Sequence, residues 1–302
     1  MRVSPDNNQV LLNALKLSDQ AEQTALQQLT TGRRVNVASD DPSSAAQEVG
    51  IAYQMDSCDQ FSRSIGTVLS ELQTADSSLS SAVTALQRAI TLGVEGANGT
   101  LSQSDRATLA QELSGISQQL LGFANLTFNG HYVFAGTADA QPPYVQGDDG
   151  AISYQGNDKI NSVEIDTGQS VVINQPGSAL FSAPGADVFQ ALGDLISALQ
   201  DPNATPDDIG NATTEVREAY DQLTSARSFY GSTMDQLINT QNFLNSEKVQ
   251  LGQQQNTTIG VDMNVAATNL TNAEAARNAT VQASATLSGL SLMDYISSIS
   301  TG

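Results

Sequence analysis

Residues 65–90 read IGTVLSELQTADSSLSSAVTALQRAI, and their spacing decides the fold class. Ile65, Leu69, Leu72, Asp76, Leu79, Val83, Leu86 and Ile90 recur at alternating steps of four and three without a slip, and only Asp76 is polar. That alternation lays one apolar stripe along an α-helix and aims it at a partner helix.

Outward from this stretch the same step returns. Leu109, Leu113, Ile116, Leu120 and Phe123 carry it after the glycine-rich run GVEGANGT at 93–100, which predicts a chain reversal and a helical hairpin. A longer series runs from Ile209 through Thr213, Val216, Tyr220, Leu223, Arg227, Tyr230, Met234, Leu237, Gln241, Leu244 and Lys248 to Leu251. At ~1.5 Å per residue it spans on the order of 60 Å, so an elongated molecule is expected. Asp207 and Asp208 stand where an N-cap and a first-turn carboxylate would start this helix.

Both ends of the chain are helical in pattern but poor in large apolar groups. Leu11, Leu12, Leu15, Leu26 and Leu29 cluster near the start, and the stripe Ala266, Leu270, Ala273, Ala276, Thr280, Ala283, Leu287 and Leu290 lies near the finish. An isolated helix so short of anchors is marginal. The ends are therefore expected to be mobile in a monomer and to order against each other in an assembly.

The middle is different. Between Asn129 and Gly185 the helical step vanishes, four of the eight prolines occur, and Lys159 is the only strongly basic side chain. The runs His131–Ala135, Ala151–Tyr154, Ser162–Ile165 and Ser170–Ile173, separated by GDDG, QGND and DTGQ, read as strands and turns. Tyr132, Phe134, Tyr144, Tyr154 and Phe181 are expected to form a core private to this insertion, closed by Gln175-Pro176-Gly177. The fold class is thus mainly α with a β-rich insertion: an elongated helical bundle or coiled coil of N- and C-terminal helices with a small β domain in the middle. The expected domains are 1–40, an N-terminal assembly helix; 41–128, the first part of a rod; 129–185, a β-rich outer domain; 186–258, the second part of the rod; and 259–302, a C-terminal assembly helix.

Composition narrows the function. Twelve Lys and Arg against 32 Asp and Glu give a net charge of -20, which disfavours nucleic acid and anionic membrane surfaces as partners. Cys58 is the single cysteine, so an internal disulfide and a thiolate metal cluster are excluded. The opening MRVSPDNNQV lacks the apolar region of a cleaved signal peptide, and no apolar run approaches a membrane span, so export is expected by a route that reads neither. His131, the sole histidine, sits in a strand-like aromatic segment and reads as structural or solvent-facing rather than as a base or ligand. The Gly147–Gly150 run GDDG reads as a hairpin turn. The series Asp201, Asn203, Thr205, Asp207 fails as a calcium loop, because Pro206 and Ala212 occupy the glycine and glutamate positions. Triplets such as Asn98-Gly99-Thr100, Asn125-Leu126-Thr127 and Asn269-Leu270-Thr271 are expected by chance in a chain this rich in Asn, Ser and Thr. Neither a phosphate-binding loop nor a nucleophile elbow is present.

Residues 31–46, TGRRVNVASDDPSSAA, add a joint: Gly32 suits a helix C-cap, Asp41 an N-cap and Pro42 a first helical position. This stretch closely resembles the signature after the first helix in the flagellin superfamily. Within it, Met1-Arg2-Val3-Ser4, the segment NGHYVFAGT at 129–137 with Pro142-Pro143-Tyr144, and LSLMDYI at 290–296 are more similar to the hook-associated branch at the hook–filament junction than to filament subunits. Asn36 and the alanine-rich C-terminal stripe depart modestly from the pattern.

The resemblance implies export through the flagellar type III apparatus, an export chaperone on the C-terminal region, and self-association in a ring between the first hook-associated protein and flagellin. It also implies terminal helices as inner coiled-coil layers and a variable β-rich domain facing outward. A secreted, extracellular structural adaptor with no enzymatic turnover, cofactor or metal is expected. The predicted interface residues are Leu11, Leu15, Leu26, Leu29, Gly32, Asp41, Pro42, Leu270, Ala273, Leu287, Leu290, Leu292 and Tyr295. The competing readings are a short flagellin and, in a different class, a secreted adhesin or carbohydrate-binding protein carried by the β insertion.

Overall fold

A computed structural model describes the backbone of residues 5–147 and 150–299 and the side chains of residues 9–147 and 150–286. Helix accounts for 71% of the chain, so the class is mainly α as expected. The described elements run α1 (Pro5–Thr31), α2 (Pro42–Gly96), α3 (Gln103–Ala124), β1 (Thr127–Phe128), β2 (His131–Tyr132), β3 (Tyr144–Gln146), β4 (Ile152–Tyr154), β5 (Ser162–Asp166), β6 (Gln169–Val172), α4 (Gly177–Leu180), β7 (Ser182–Ala183), β8 (Ala186–Asp187), α5 (Val188–Gln200), α6 (Pro206–Ile259) and α7 (Met263–Ile299). They divide into two compact units, one of residues 58–245 and one of residues 1–57 with 246–302. No described helix is long and apolar enough to cross a membrane.

In the 58–245 unit, α2 buries Ile65, Leu72, Leu79 and Leu86 completely. The alternate rungs are Val68, Ala75, Ala82 and Ala89 rather than Leu69, Val83 and Ile90, which are half-buried. Alanines on the deepest line let neighbouring backbones approach, and the larger groups flank them. α3 runs back along α2: Ser78 Oγ donates to the Phe123 carbonyl at 3.2 Å, and Arg88 pairs with Glu112 at 2.7 Å. The expected helical hairpin is present, but GVEG does not turn. It continues α2, because a Cβ at Gly93 would stand 2.4 Å from Thr213 Oγ1 and one at Gly96 would stand 2.3 Å from Leu199 Cδ2. Those glycines admit neighbouring side chains while the reversal waits for residues 97–102.

α6 buries Ile209, Val216, Leu223, Tyr230, Leu237, Leu244 and Leu251 at heptad spacing, with Ala212, Thr213, Ala219, Ala226 and Thr233 buried beside them. Its N-cap is Thr205, not Asp207: the Thr205 hydroxyl accepts from Asp208 N at 3.3 Å while the Asp208 carboxylate accepts from Thr205 N at 2.8 Å. This reciprocal box leaves Asp207 and Asp208 as first-turn carboxylates, and the two hydrogen bonds from Thr205 hold the Asp208 carboxyl below its usual range.

The β elements are four separate antiparallel pairs, β1–β2, β3–β4, β5–β6 and β7–β8. β3 and β4 pair, while Asp148 and Asp149 of the GDDG run between them lie outside the described residues, and DTGQ joins β5 to β6 through Gly168 at φ +74°. QGND joins no pair; Asn157 within it accepts from Thr137 N at 3.0 Å and Lys159 N at 3.1 Å instead. The aromatic core is not private to the insertion. Phe134, Tyr144 and Phe181 are buried, Tyr154 is half-buried, and Phe189 of α5 closes to 5.1 Å from Tyr144, ring centre to ring centre. Asn125, which caps α3, fastens Tyr144 through both of its backbone polar groups, at 2.8 and 2.9 Å. Tyr132 is half-buried on the outer pair.

Candidate assembly site

In the unit of residues 1–57 and 246–302, α1 lies along α7. On α1, Ala25 is buried and Leu11, Leu15 and Leu29 are half-buried, while Leu26 is exposed. On α7, Ala266 and Ala273 are buried one heptad apart, with Leu270 half-buried between them. Leu287, Leu290, Leu292 and Tyr295 fall in the helical range of α7, but their side chains lie outside the described residues. Arg277 crosses the seam to Asp19 at 2.9 Å and Glu22 at 3.5 Å.

The seam is thin because its deepest residues are alanines, and larger apolar groups point elsewhere. Val10, Leu12, Leu17 and Leu26 on α1 and Met263, Val265 and Val281 on α7 are each at least half exposed. At about 100° per residue, Val10 and Leu17 lie on one flank of the α1 seam and Leu12 and Leu26 on the other. Both flanks of a helix already paired along its third side are thus left apolar and exposed.

Beyond α1 the chain enters a hydrogen-bonded joint. Gly32, at φ +68°, ends α1 with its N–H on the Gln28 carbonyl. A Cβ there would meet nothing, so the backbone conformation rather than space demands the glycine. Arg33 then forms a β-bridge with Gly260, Arg34 N donates to Ile259 O at 2.6 Å, and Val261 N donates to Gly32 O at 3.1 Å. Arg34 Nη2 reaches the Thr258 carbonyl at 3.0 Å, Asp41 at 3.2 Å and Ser44 Oγ at 3.3 Å. A single guanidinium thus serves a terminal carbonyl of α6 and the N-cap of α2.

Asp41 accepts from Ser44 N at 3.2 Å and Ser44 Oγ at 2.6 Å, and Pro42 follows as the first residue of α2. The Ser44 hydrogen bonds foremost, then Arg34, lower the Asp41 carboxyl to about 2. Asp40 accepts from Asn36 N and Val37 N, which also lowers its pKa. Glu48 braces the same joint: Gln255 Nε2 donates to it at 2.7 Å and Arg33 lies 3.8 Å away, while its second oxygen is buried without a partner.

Sequence reasoning located Gly32, Asp41 and Pro42 but missed Arg34, Glu48, Gln255, Ala25 and Arg277. The Arg33-Arg34 pair after a C-cap glycine was the one local signal. Glu48 and Gln255 meet across 207 positions, which no local pattern encodes.

His131 is exposed, with Nδ1 3.1 Å from Asp139 Oδ2. Burial, then repulsion from Asp139, raises the Glu71 carboxyl, with His131 acting in the opposite direction. Burial also drives the Tyr144 and Tyr230 hydroxyls upward. Among the described residues no three His, Cys, Asp or Glu side chains gather as a metal site. An open cleft of about 730 Å³ is lined by Asp166, Gln169, Ser232, Asp235, Gln236, Asn239, Thr240 and Phe243.

Residues 7–139 match the bacterial flagellin N-terminal helical region. Flagellar hook-associated protein 3 of Salmonella typhimurium is 36% identical over 163 residues, covering 53% of this chain and 50% of that one. The chain therefore spans about half the length of the curated relatives it matches. A solved flagellar hook-associated protein from Vibrio parahaemolyticus has a TM-score of 0.68 at 19% identity, covering 73% of this chain and all of the other. The flagellar junction protein FlgL of Legionella pneumophila gives 0.60 at 16% identity, covering 70% and 99%. The chain is thus similar over residues 7–139 to the bacterial flagellin N-terminal helical region, and its fold is like that of solved flagellar hook-associated proteins.

Proposed function

We propose that this protein is a structural subunit of the bacterial flagellum that joins the hook-side hook-associated protein to the flagellin filament. The observation that carries the reading is the α1–α7 pair: an alanine-thin seam with leucines and valines left exposed on both flanks. A finished domain hides such groups, whereas a subunit that packs laterally into a ring needs them. The similarity to hook-associated protein 3 and to a junction protein supports the position between hook and filament.

Its action is binding, with load passed through interlocked helices and no turnover. The 1–40 and 259–302 segments serve as assembly helices, 41–128 and 186–258 as a rod, and 129–185 as an outward surface. A flagellar chaperone and the type III export apparatus are its partners before secretion. Immunolabelling of isolated flagella tests the position: signal confined to the hook–filament boundary supports it. The matched flagellin region favours a second reading, a short filament subunit, which predicts label along the whole filament. Deletion separates the two readings again. Loss of the junction releases unpolymerised flagellin into the medium, whereas loss of a filament subunit does not.

A further inference from the structure

The triplet Asn98-Gly99-Thr100, set aside above as chance, occupies the corner between α2 and α3 and has a geometry of its own. Asn98 Oδ1 accepts from Thr100 N at 3.1 Å and from Thr100 Oγ1 at 2.9 Å. The backbone is pinned on both sides, by Asn98 N to Glu95 O at 3.1 Å and Leu101 N to Asn98 O at 3.0 Å. Gly99 between them is exposed, its N–H donates to nothing in the chain, and only Pro206 Cγ approaches within 4 Å of where a Cβ would stand. The side-chain amide carbon is thus polarised by two donors, beside an unhindered backbone nitrogen.

A second Asn–Gly step supplies an internal comparison. Asn129 and Gly130 form the turn between β1 and β2, both with positive φ, +50° and +86°. This is the left-handed pair of a two-residue hairpin, held by the Thr127–Tyr132 and Phe128–His131 register. Both residues are exposed, and among the described residues no group donates to the Asn129 amide. At this turn nothing polarises the carbonyl, and the hairpin must open before the side chain can reach the Gly130 nitrogen.

We propose that Asn98 is a self-modification site, converted to aspartate and isoaspartate through a cyclic imide. The Gly99 nitrogen attacks Asn98 Cγ, forming an N–Cγ bond, and the Cγ–Nδ2 bond breaks. Nδ2 departs as ammonia with the proton lost by Gly99. Water, the only co-reactant, then opens the imide at either carbonyl to give the two products. The oxyanion that develops on Oδ1 during attack meets the Thr100 N–H and hydroxyl, which already point at that oxygen, so neither donor has to reorganise. The product places a full negative charge just past the C-terminal end of α2, where the helix dipole disfavours it. The isoaspartate form also adds a methylene to the main chain, and both changes loosen the corner.

The test is incubation of the purified full-length chain at mildly alkaline pH in ¹⁸O-labelled water, with peptide mapping by mass spectrometry at residues 98 and 129. Conversion at Asn98 is expected to run severalfold faster than at Asn129, with one heavy oxygen retained per converted residue. Thr100→Val keeps the side-chain shape but removes the hydroxyl donor, and is expected to slow conversion at 98 severalfold while leaving 129 unchanged. Thr100→Ser is expected to keep the parent rate. Conversion at Asn129 equal to or faster than at Asn98 overturns the proposal. So does a Thr100→Val rate that equals or exceeds the parent's, since the hydrogen bonds would then restrain the amide rather than activate it.

Discussion

Asp76 is the polar interruption of the α2 stripe and Arg227 one of those in the α6 stripe, and the structure joins them: Arg227 Nε lies 2.8 Å from Asp76 Oδ1, and its Nη2 lies 3.2 Å from Oδ2. The side chains are 33% and 27% exposed, and the carboxylate raises the Arg227 pKa. Exposed ion pairs contribute about 0.2–1 kcal/mol, whereas stranding one partner of a buried pair costs about 3–5 kcal/mol. A two-pronged pair with this burial falls between, so Asp76→Leu or Arg227→Met alone is expected to destabilise by about 1–2 kcal/mol. At about 2–4 °C per kcal/mol for a unit of this size, Tm falls by about 2–8 °C. The double variant Asp76→Leu/Arg227→Met continues both stripes with apolar groups and is expected to recover most of that loss. Calorimetry and urea unfolding of the four proteins close a double-mutant cycle. A double variant as unstable as the sum of the two singles would refute the view that the pair substitutes for a hydrophobic rung between α2 and α6.

Three further perturbations address the joint, the seam and the one strained carboxyl. Arg34→Ala should speed amide exchange at residue 34 and Val261 together, and Arg34→Lys should restore protection only in part, because lysine ends one bond short of the Nη2 position that contacts Thr258, Asp41 and Ser44; unchanged exchange in the alanine variant would remove the clamp. Ala25→Asp places a charge in the α1–α7 seam and should abolish incorporation into flagella while the 58–245 unit keeps its helical signal and Tm. Glu71 has a folded pKa above its unfolded value, so its protonated form is the stabilising one and that contribution is lost as pH rises through the folded pKa. Glu71→Gln should therefore raise stability at neutral pH and flatten the slope between acid and neutral conditions, and a lower neutral-pH Tm would contradict this.

Helix existence was legible because 65–90 and 209–251 repeat without interruption, and a long regular period leaves no other reading. The rung assignment was not. Counting large apolar residues selects Leu69, Val83 and Ile90, yet the deepest positions are Val68, Ala75, Ala82 and Ala89, because close helix approach rewards small side chains that carry little periodic signal. The aromatic residues of the insertion were identified as core, but Phe189 lay in a segment read as helix, and its place in the same cluster depends on long-range packing. Thr205 was passed over as an N-cap because Asp207 and Asp208 follow it, although its relation to Asp208 is a capping box in plain sight. The joint was half legible: Gly32, Asp41 and Pro42 obey local rules, while Arg34 acts on a carbonyl 224 positions away.

The placement of large apolar side chains argues for assembly more strongly than their number does. In the 58–245 unit most leucines and isoleucines of α2, α3 and α6 are buried or half-buried, and the exposed large apolar groups, such as Val94, Ile238 and Phe243, are scattered. On α1 and α7 the order is reversed, with alanines at the deepest positions and leucine, valine and methionine outward. The outward leucines are better explained as contacts awaiting other helices, with the alanine seam setting how closely the first pair can approach. The joint then has a definite task. By tying residues 32–34 to 258–261 through backbone bonds and Arg34, it fixes where α1 ends relative to where α7 begins, which on the assembly reading proposed above would present the helix pair in register.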